Sequence, residues 1–191
     1  MAPSTPNPLL MGIAIAVAVL LMVVMTLLSR TRRNRSSFSY LTSAMLGGID
    51  ILTLRSRTRN DAIDELASHA AGVLRWPDED TIRRRLRKRE DEMSTGLVHG
   101  IAVPHARFVK LGRSLVMFAR SVDGIDWDCM DGQPARTFFL LLTPEEDEKA
   151  QLKMLAELSY CAEDEECRAV FESTDDCKEV IAAILKVVKS K

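Results

Sequence analysis

Apolar residues recur at Ile63, Leu66, Ala67, Ala70, Ala71 and Leu74, the three-and-four spacing of a helix that covers a core with one face. Thr58 and Asp61 stand just ahead of it as a helix-capping pair. A second helix is predicted to start at Pro77 with Asp78, Glu79 and Asp80, acidic residues that suit the positive end of a helix dipole. It turns Ile82 and Leu86 inward and Arg83, Arg84, Arg85, Arg87, Lys88 and Arg89 outward. Elsewhere the apolar positions run together, and Ile49 to Leu54, Leu115 to Ala119 and Thr137 to Leu142 read as strands, with Asp131-Gly132 as a turn and Thr143-Pro144 as a stop. Helical spacing returns from about Glu146 to Cys161, which places Leu152, Leu155, Ala156 and Tyr160 toward the core. A short helix over Glu165 to Phe171 follows, then a final one capped by Thr174 with Cys177, Val180, Ile181, Ile184 and Leu185 along one side. Strands alternating with helices predict an α/β domain.

The first 28 residues follow another pattern. They hold no charged side chain, and Leu9 to Leu28 form an apolar run broken only by Gly12 and Thr26. At ~1.5 Å per residue this run reaches about 30 Å as a helix, enough to cross a bilayer's hydrocarbon core. A cleaved signal peptide fits less well, because no positive segment precedes the run and no Ala-x-Ala site follows it. A buried soluble helix also competes poorly with twenty such residues followed by Arg30, Arg32, Arg33 and Arg35. Those arginines predict that the folded part stays in the cytoplasm, against the inner membrane, with a single pass. The expected organisation is a short tail over 1–8, a membrane helix over 9–28, a basic juxtamembrane linker over 29–48 and a folded domain over 49–191. Within the linker, Phe38, Tyr40, Leu41 and Met45 are candidate docking points.

Composition narrows the function. The chain has 191 residues, 47% of them hydrophobic, room for one domain of about 150 residues and an appendage. A formal net charge of −1 argues against a general polyanion binder. The basic run of the second helix reads first as a solvated face; with no interleaved aromatics and no binding motif, nucleic acid is not an expected partner. Cys129, Cys161, Cys167 and Cys177 form no close pair and, with three histidines in the chain, give no zinc spacing, so reduced structural thiols and no metal are expected. Asp126, Asp128 and Asp131 around Trp127 read as turn residues rather than a calcium loop. There is no P-loop and no kinase motif, so no nucleotide cofactor is expected.

The chemistry concentrates in Ser94-Thr95-Gly96-Leu97-Val98-His99-Gly100-Ile101-Ala102-Val103-Pro104-His105. A short apolar strand closed by Pro104 delivers one imidazole, and a neutral imidazole is a competent nucleophile toward a phosphoryl group. Arg89, sixteen residues earlier, and Arg107, just beyond, can grip phosphate oxygens. An isolated Pro-His pair would more often just end a strand.

The pair is accompanied. Arg89-Glu90, Ser94-Thr95-Gly96, Gly100 through His105, Phe139 to Pro144 and Gln151-Leu152-Lys153-Met154-Leu155-Ala156 together resemble the fructose/mannitol-type EIIA domain of the phosphoenolpyruvate-dependent sugar phosphotransferase system, which includes a nitrogen-related regulatory branch. The resemblance covers about residues 45 to 191. It implies a mixed sheet with helices on both faces, a phosphohistidine carrier and no cofactor. His105 would accept phosphate on Nε2 from an HPr-like phosphocarrier and pass it to an EIIB partner. Arg89 would be the strongest supporting cation, with Ser94, Thr95, Arg107 and Gln151 as further phosphate contacts. The chain departs from the family at three places. Gln151 stands where relatives carry a second histidine, and an amide can hydrogen-bond phosphate but cannot shuttle a proton. Ala106 replaces a glycine, and His99 stands where asparagine or glutamate is common; it is a further candidate to support the phosphate by partly replacing the missing imidazole, although an exposed polar loop residue is the favoured reading. Because no EIIB or transport domain is recognisable, two other readings stay open: a regulatory module whose phosphorylation state controls a membrane transporter or signalling protein, and a binding scaffold that has lost phosphotransfer.

Overall fold

A computed structural model describes residues 39–45 and 51–191. The predicted tail and membrane helix over 1–28, residues 29–38 and 46–48 of the predicted linker, and residues 49–50 at the start of the predicted domain lie outside the described residues. Among the described residues no helix is long and apolar enough to cross a membrane.

The elements in chain order are α1 (Tyr40–Met45), β1 (Leu52–Leu54), α2 (Arg59–Val73), α3 (Glu79–Glu92), β2 (Ile101–Ala102), β3 (His105–Phe108), β4 (Leu115–Ile125), β5 (Ala135–Pro144), α4 (Glu148–Glu163), α5 (Glu165–Ser173) and α6 (Cys177–Ser190). β4 lies between β1, parallel to it, and β5, antiparallel to it; β2 and β3 both run parallel to β5 along its outer edge. The expected mixed sheet is therefore present. Alternation along the two long strands splits the interior into two cores. Met117, Ala119, Phe138, Leu140 and Leu142 face α2 and α3, whereas Val116, Phe118, Phe139 and Leu141 face α1, α4, α5 and α6. Phe118, Phe139 and Phe171 meet at tilted and edge-on angles on the second side, with centroids 5.0 to 5.8 Å apart.

The helix starts follow local chemistry. Thr58 accepts the amide of Asp61 for α2 and Asp78 that of Thr81 for α3. Asp147, Asp164 and Asp176 do the same for the last three helices. Thr174, expected to cap α6, instead closes α5, two residues before Asp176 takes the capping role.

The facing of α4 differs from the sequence expectation. Its buried stripe is Ala150, Gln151, Met154, Glu157, Leu158, Cys161 and Ala162, while Leu152 is 60% and Tyr160 44% exposed, Leu155 is half-buried and Ala156 exposed. The cause is Glu157, which hydrophobicity alone would send to the surface. Its carboxylate accepts Ser39 Oγ at 2.7 Å, Tyr40 N at 3.1 Å and Leu41 N at 2.9 Å, so it closes the open N-terminal amides of α1. Leu41 and Met45 are buried in the second core, and this part of the expected linker is a docked helix.

Candidate functional site

The basic run of α3 divides by helical geometry. Ile82, Leu86 and Glu90, four apart, form its buried stripe. Arg83 and Arg87 turn toward α2, where both reach Asp64, at 3.1 and 2.6 Å. Arg85, Lys88, Arg89 and Glu92 follow at three-and-four spacing along another face, and this face lines a cavity of about 510 Å³ with His105, Ala106, Arg107, Glu145 and Gln151. The run is thus only in part a solvated face. The cavity opens at the sheet edge, where α3 from one layer and α4 from the other flank β3.

His105 begins β3 rather than ending a strand. Pro104 interrupts the edge between β2 and β3 because it has no amide to donate, yet its carbonyl accepts Leu141 N at 3.0 Å, so pairing with β5 resumes at once. Upstream, two glycines make the approach. A Cβ on Gly96 would stand 2.7 Å from Cys129 Cα, and Gly100, at φ +66°, follows His99 in a tight turn whose carbonyl accepts Arg136 N and Thr137 N.

The half-buried ring is held at both nitrogens. Nδ1 lies 2.8 Å from the carbonyl of Val103, and Arg89 Nε donates to Nε2 at 3.1 Å. A carbonyl can only accept and a guanidinium can only donate, so the proton belongs on Nδ1 and the lone pair on Nε2. Arg89 is fixed in turn by donating Nη1 to Met93 O at 2.7 Å. Burial lowers the pKa of His105 below its ordinary value, the bond to Val103 opposes this, and the charges of Arg89 and Arg107 lower it further. With its pKa lowered from 6.5, the ring is mainly neutral at pH 7, and it faces cations. Arg107 reaches Glu148 at 3.8 Å, and Arg85 lies 4.0 Å from Glu145, so two of those cations have acidic partners at the rim that are mostly exposed.

Gln151, in the first turn of α4, lines the cavity while only 8% exposed. Ser94, Thr95 and His99 do not line it. Ser94 Oγ donates to Trp127 O and accepts Gly96 N; the buried Thr95 hydroxyl donates to Glu90 and accepts Trp127 Nε1. Both hydroxyls are committed to holding the 94–97 loop. His99 is exposed, its amide donating to Asp131, at the end of β5 opposite Thr137, whereas His105 pairs with Leu141. Four strand residues at ~3.3 Å each separate those positions by about 13 Å. Sequence reading missed Glu92 and Glu145 as lining residues; the spacing Arg85, Lys88, Arg89, Glu92 was the available signal for the first. Among the described residues no group of three or more histidine, cysteine or acidic side chains could hold a metal ion.

The chain matches, over residues 49–187, the family described as the phosphoenolpyruvate-dependent sugar phosphotransferase system, EIIA 2. It is 34% identical over 132 residues to a fructose-specific EIIA component of that system from Haloferax volcanii, covering 68% of this chain and 86% of the relative. A nitrogen regulatory protein from Bradyrhizobium diazoefficiens is 31% identical over 131 residues, with 69% and 85% covered. The fold also matches a solved Escherichia coli complex of enzyme IIAMtl with phosphorylated enzyme IIBMtl, at a TM-score of 0.59 and 19% identity, covering 74% of this chain and 97% of that one. With its family match, its mixed sheet and a cation-flanked histidine in an open cavity, this chain belongs to the EIIA type 2 family of the phosphoenolpyruvate-dependent phosphotransferase system.

Proposed function

We propose that the chain is a membrane-anchored phosphohistidine carrier that accepts a phosphoryl group on Nε2 of His105 and hands it to an EIIB partner. The observation that carries this reading is the pair of bonds to the ring. With its proton held by Val103, His105 presents the Nε2 lone pair beside Arg89, in a cavity wide enough for a visiting protein's phosphoryl group.

Arg89 would release Nε2 as the donor arrives. The lone pair attacks phosphorus in line, the new N–P bond forms, and the donor's bond to phosphorus breaks with its electron pair returning to the donor. Arg89, Arg107, Arg85 and Lys88 offset the charge on the transferring oxygens, the first from beside the nucleophile. Gln151 can donate its amide to one oxygen but cannot take up or return a proton. The donor in this reading is an HPr-like phosphocarrier. Residues 9–28 would span the inner membrane once, residues 29–48 would follow as a basic juxtamembrane linker, and the domain over 49–191 would work on the cytoplasmic side.

The test is incubation with phosphoenolpyruvate, enzyme I and HPr. The chain should acquire an acid-labile phosphoryl group that His105→Ala abolishes, and Gln151→His should raise the rate. Label that survives His105→Ala contradicts the assignment. The likeness to a nitrogen regulatory protein, together with Gln151 in place of a second imidazole, favours a second reading in which the phosphorylated and unphosphorylated forms switch a neighbouring membrane protein. Recovery of the chain from membranes with an EIIB and sugar transporter supports the carrier, and recovery with an unrelated transporter supports the switch.

A further inference from the structure

Arg89 and Glu90 are neighbours in the last turn of α3, yet their side chains leave in opposite senses. Arg89 reaches the cavity and donates to Nε2 of His105, whereas Glu90 is buried, only 4% exposed, and takes no part in the cavity lining. A buried carboxylate without a solvent face is costly to keep unless its oxygens are fully used. Glu90 Oε1 accepts the amide of Thr95 at 2.8 Å and Oε2 accepts its hydroxyl at 2.6 Å, and that hydroxyl accepts Trp127 Nε1 at 3.2 Å. Thr95 is therefore clamped at three points. Its carbonyl then accepts the amide of Val103 at 3.0 Å, and the carbonyl of the same Val103 takes Nδ1–H of His105 at 2.8 Å.

We propose that Glu90 is a positioning residue for His105: acting through Thr95 and Val103, it fixes the carbonyl that keeps the ring proton on Nδ1 and so keeps the Nε2 lone pair facing the cavity. The catalytic consequence rests on the reading of His105 as phosphoryl acceptor; the effect on the ring does not. Which nitrogen of a neutral imidazole carries the proton is set by the hydrogen bond the other nitrogen makes, and a ring protonated on Nε2 has no electron pair to offer an incoming phosphorus. One turn of α3 thus governs both ring nitrogens. Arg89 holds Nε2 directly and Glu90 holds Nδ1 at a distance, by locking the loop rather than by touching the ring.

The experiment uses the full-length chain with ¹⁵N-labelled histidine, the His105 ring being assigned by the signal lost in His105→Gln. In the unmodified protein long-range ring correlations should report one dominant Nδ1–H form. Glu90→Ala removes both acceptors of Thr95 and should raise the Nε2–H share about five- to tenfold, the size expected when one neutral hydrogen bond is weakened. Glu90→Gln keeps an acceptor for the Thr95 amide and should restore the ring to within about twofold of the original. If Glu90→Ala fails to fold, Thr95→Val, which removes only the hydroxyl end of the clamp, should still shift the ring in the same direction. In phosphotransfer from phosphorylated HPr, kcat should fall about five- to tenfold with Glu90→Ala while KM stays unchanged, because Glu90 does not reach the surface where the donor docks. An unchanged ring in folded Glu90→Ala, or in Thr95→Val where Glu90→Ala cannot be made, overturns the proposal. A shifted ring in a protein that HPr never phosphorylates would support the brace and contradict the acceptor reading, so the two failures are distinguishable.

Discussion

At the scale of single residues, Arg89 and His105 form a pair whose chemistry depends on the shape of the guanidinium as well as its charge. Arg89→Lys keeps a cation but loses the Nε–H that meets Nε2 and the Nη1–H that meets Met93 O. Phosphoryl acceptance should fall about 10²-fold, the usual cost of removing one well-placed donor from a charge-stabilising site, in a rapid-quench assay with phosphorylated HPr. The pH dependence follows from burial and from the two arginines, which hold His105 below 6.5. In the proposed transfer the attacking form is neutral, so the rate should rise with pH, pass its half-point below 6.5 and stay level above. The unfolded chain binds that proton more readily than the folded one. Stability linked to His105 is therefore present above pH 6.5 and lost as pH falls through the lowered value. Arg89→Gln removes one of the opposing charges and should move the half-point upward, read by NMR titration of the ring. Gln151→His places a second titratable group in the cavity and should add a second inflection to the rate profile.

At the scale of elements, what was legible in the sequence was what depends on local pattern. The helical stripes of α2 and α3, the acidic starts of the helices and the apolar runs of β4 and β5 are all repeated or clustered over short distances, and each appears within a few residues of its expected place. So was the histidine that lines the cavity, because Gly100, Pro104 and His105 are neighbours in the chain. The facing of α4 was not legible. Leu152 and Tyr160 look like core and Glu157 looks like surface, and the arrangement reverses because Glu157 caps a helix more than a hundred residues away. Ser94 and Thr95 do not line the cavity for the same kind of reason: their hydroxyls are taken by Trp127 and Glu90, partners that no local spacing indicates. The docking of α1 yields its own expectation. Glu157→Ala removes a charged acceptor from three donors and should cost about 1.5–3 kcal/mol in urea unfolding, with amide exchange rising first across 39–45. An unchanged exchange pattern there would mean that α1 is held by its apolar side alone.

For the whole molecule, the two cores on opposite faces of one sheet explain where the site stands. α3 belongs to one layer and α4 to the other, and residues of both line the cavity beside β3 at the sheet edge. The edge position leaves the half-buried His105 ring lining the cavity while both flanking helices remain packed. The helix that Glu157 clips to α4 is also the first described element of the chain. If residues 9–28 span a bilayer, the full-length chain should stay in the membrane fraction after alkaline carbonate washing, and a chain beginning at Ser36 should be released. Release of the full-length chain would remove the anchor from the proposed function without touching the chemistry at His105.

That chemistry is tested most directly by locating the phosphorus atom. After incubation with phosphoenolpyruvate, enzyme I and HPr, the ¹⁵N-histidine-labelled chain should show ³¹P–¹⁵N coupling at one ring nitrogen, Nε2 of His105, and at no nitrogen of His69 or His99. Coupling at Nδ1, coupling at either other histidine, or none at all under conditions where HPr itself is phosphorylated would contradict it.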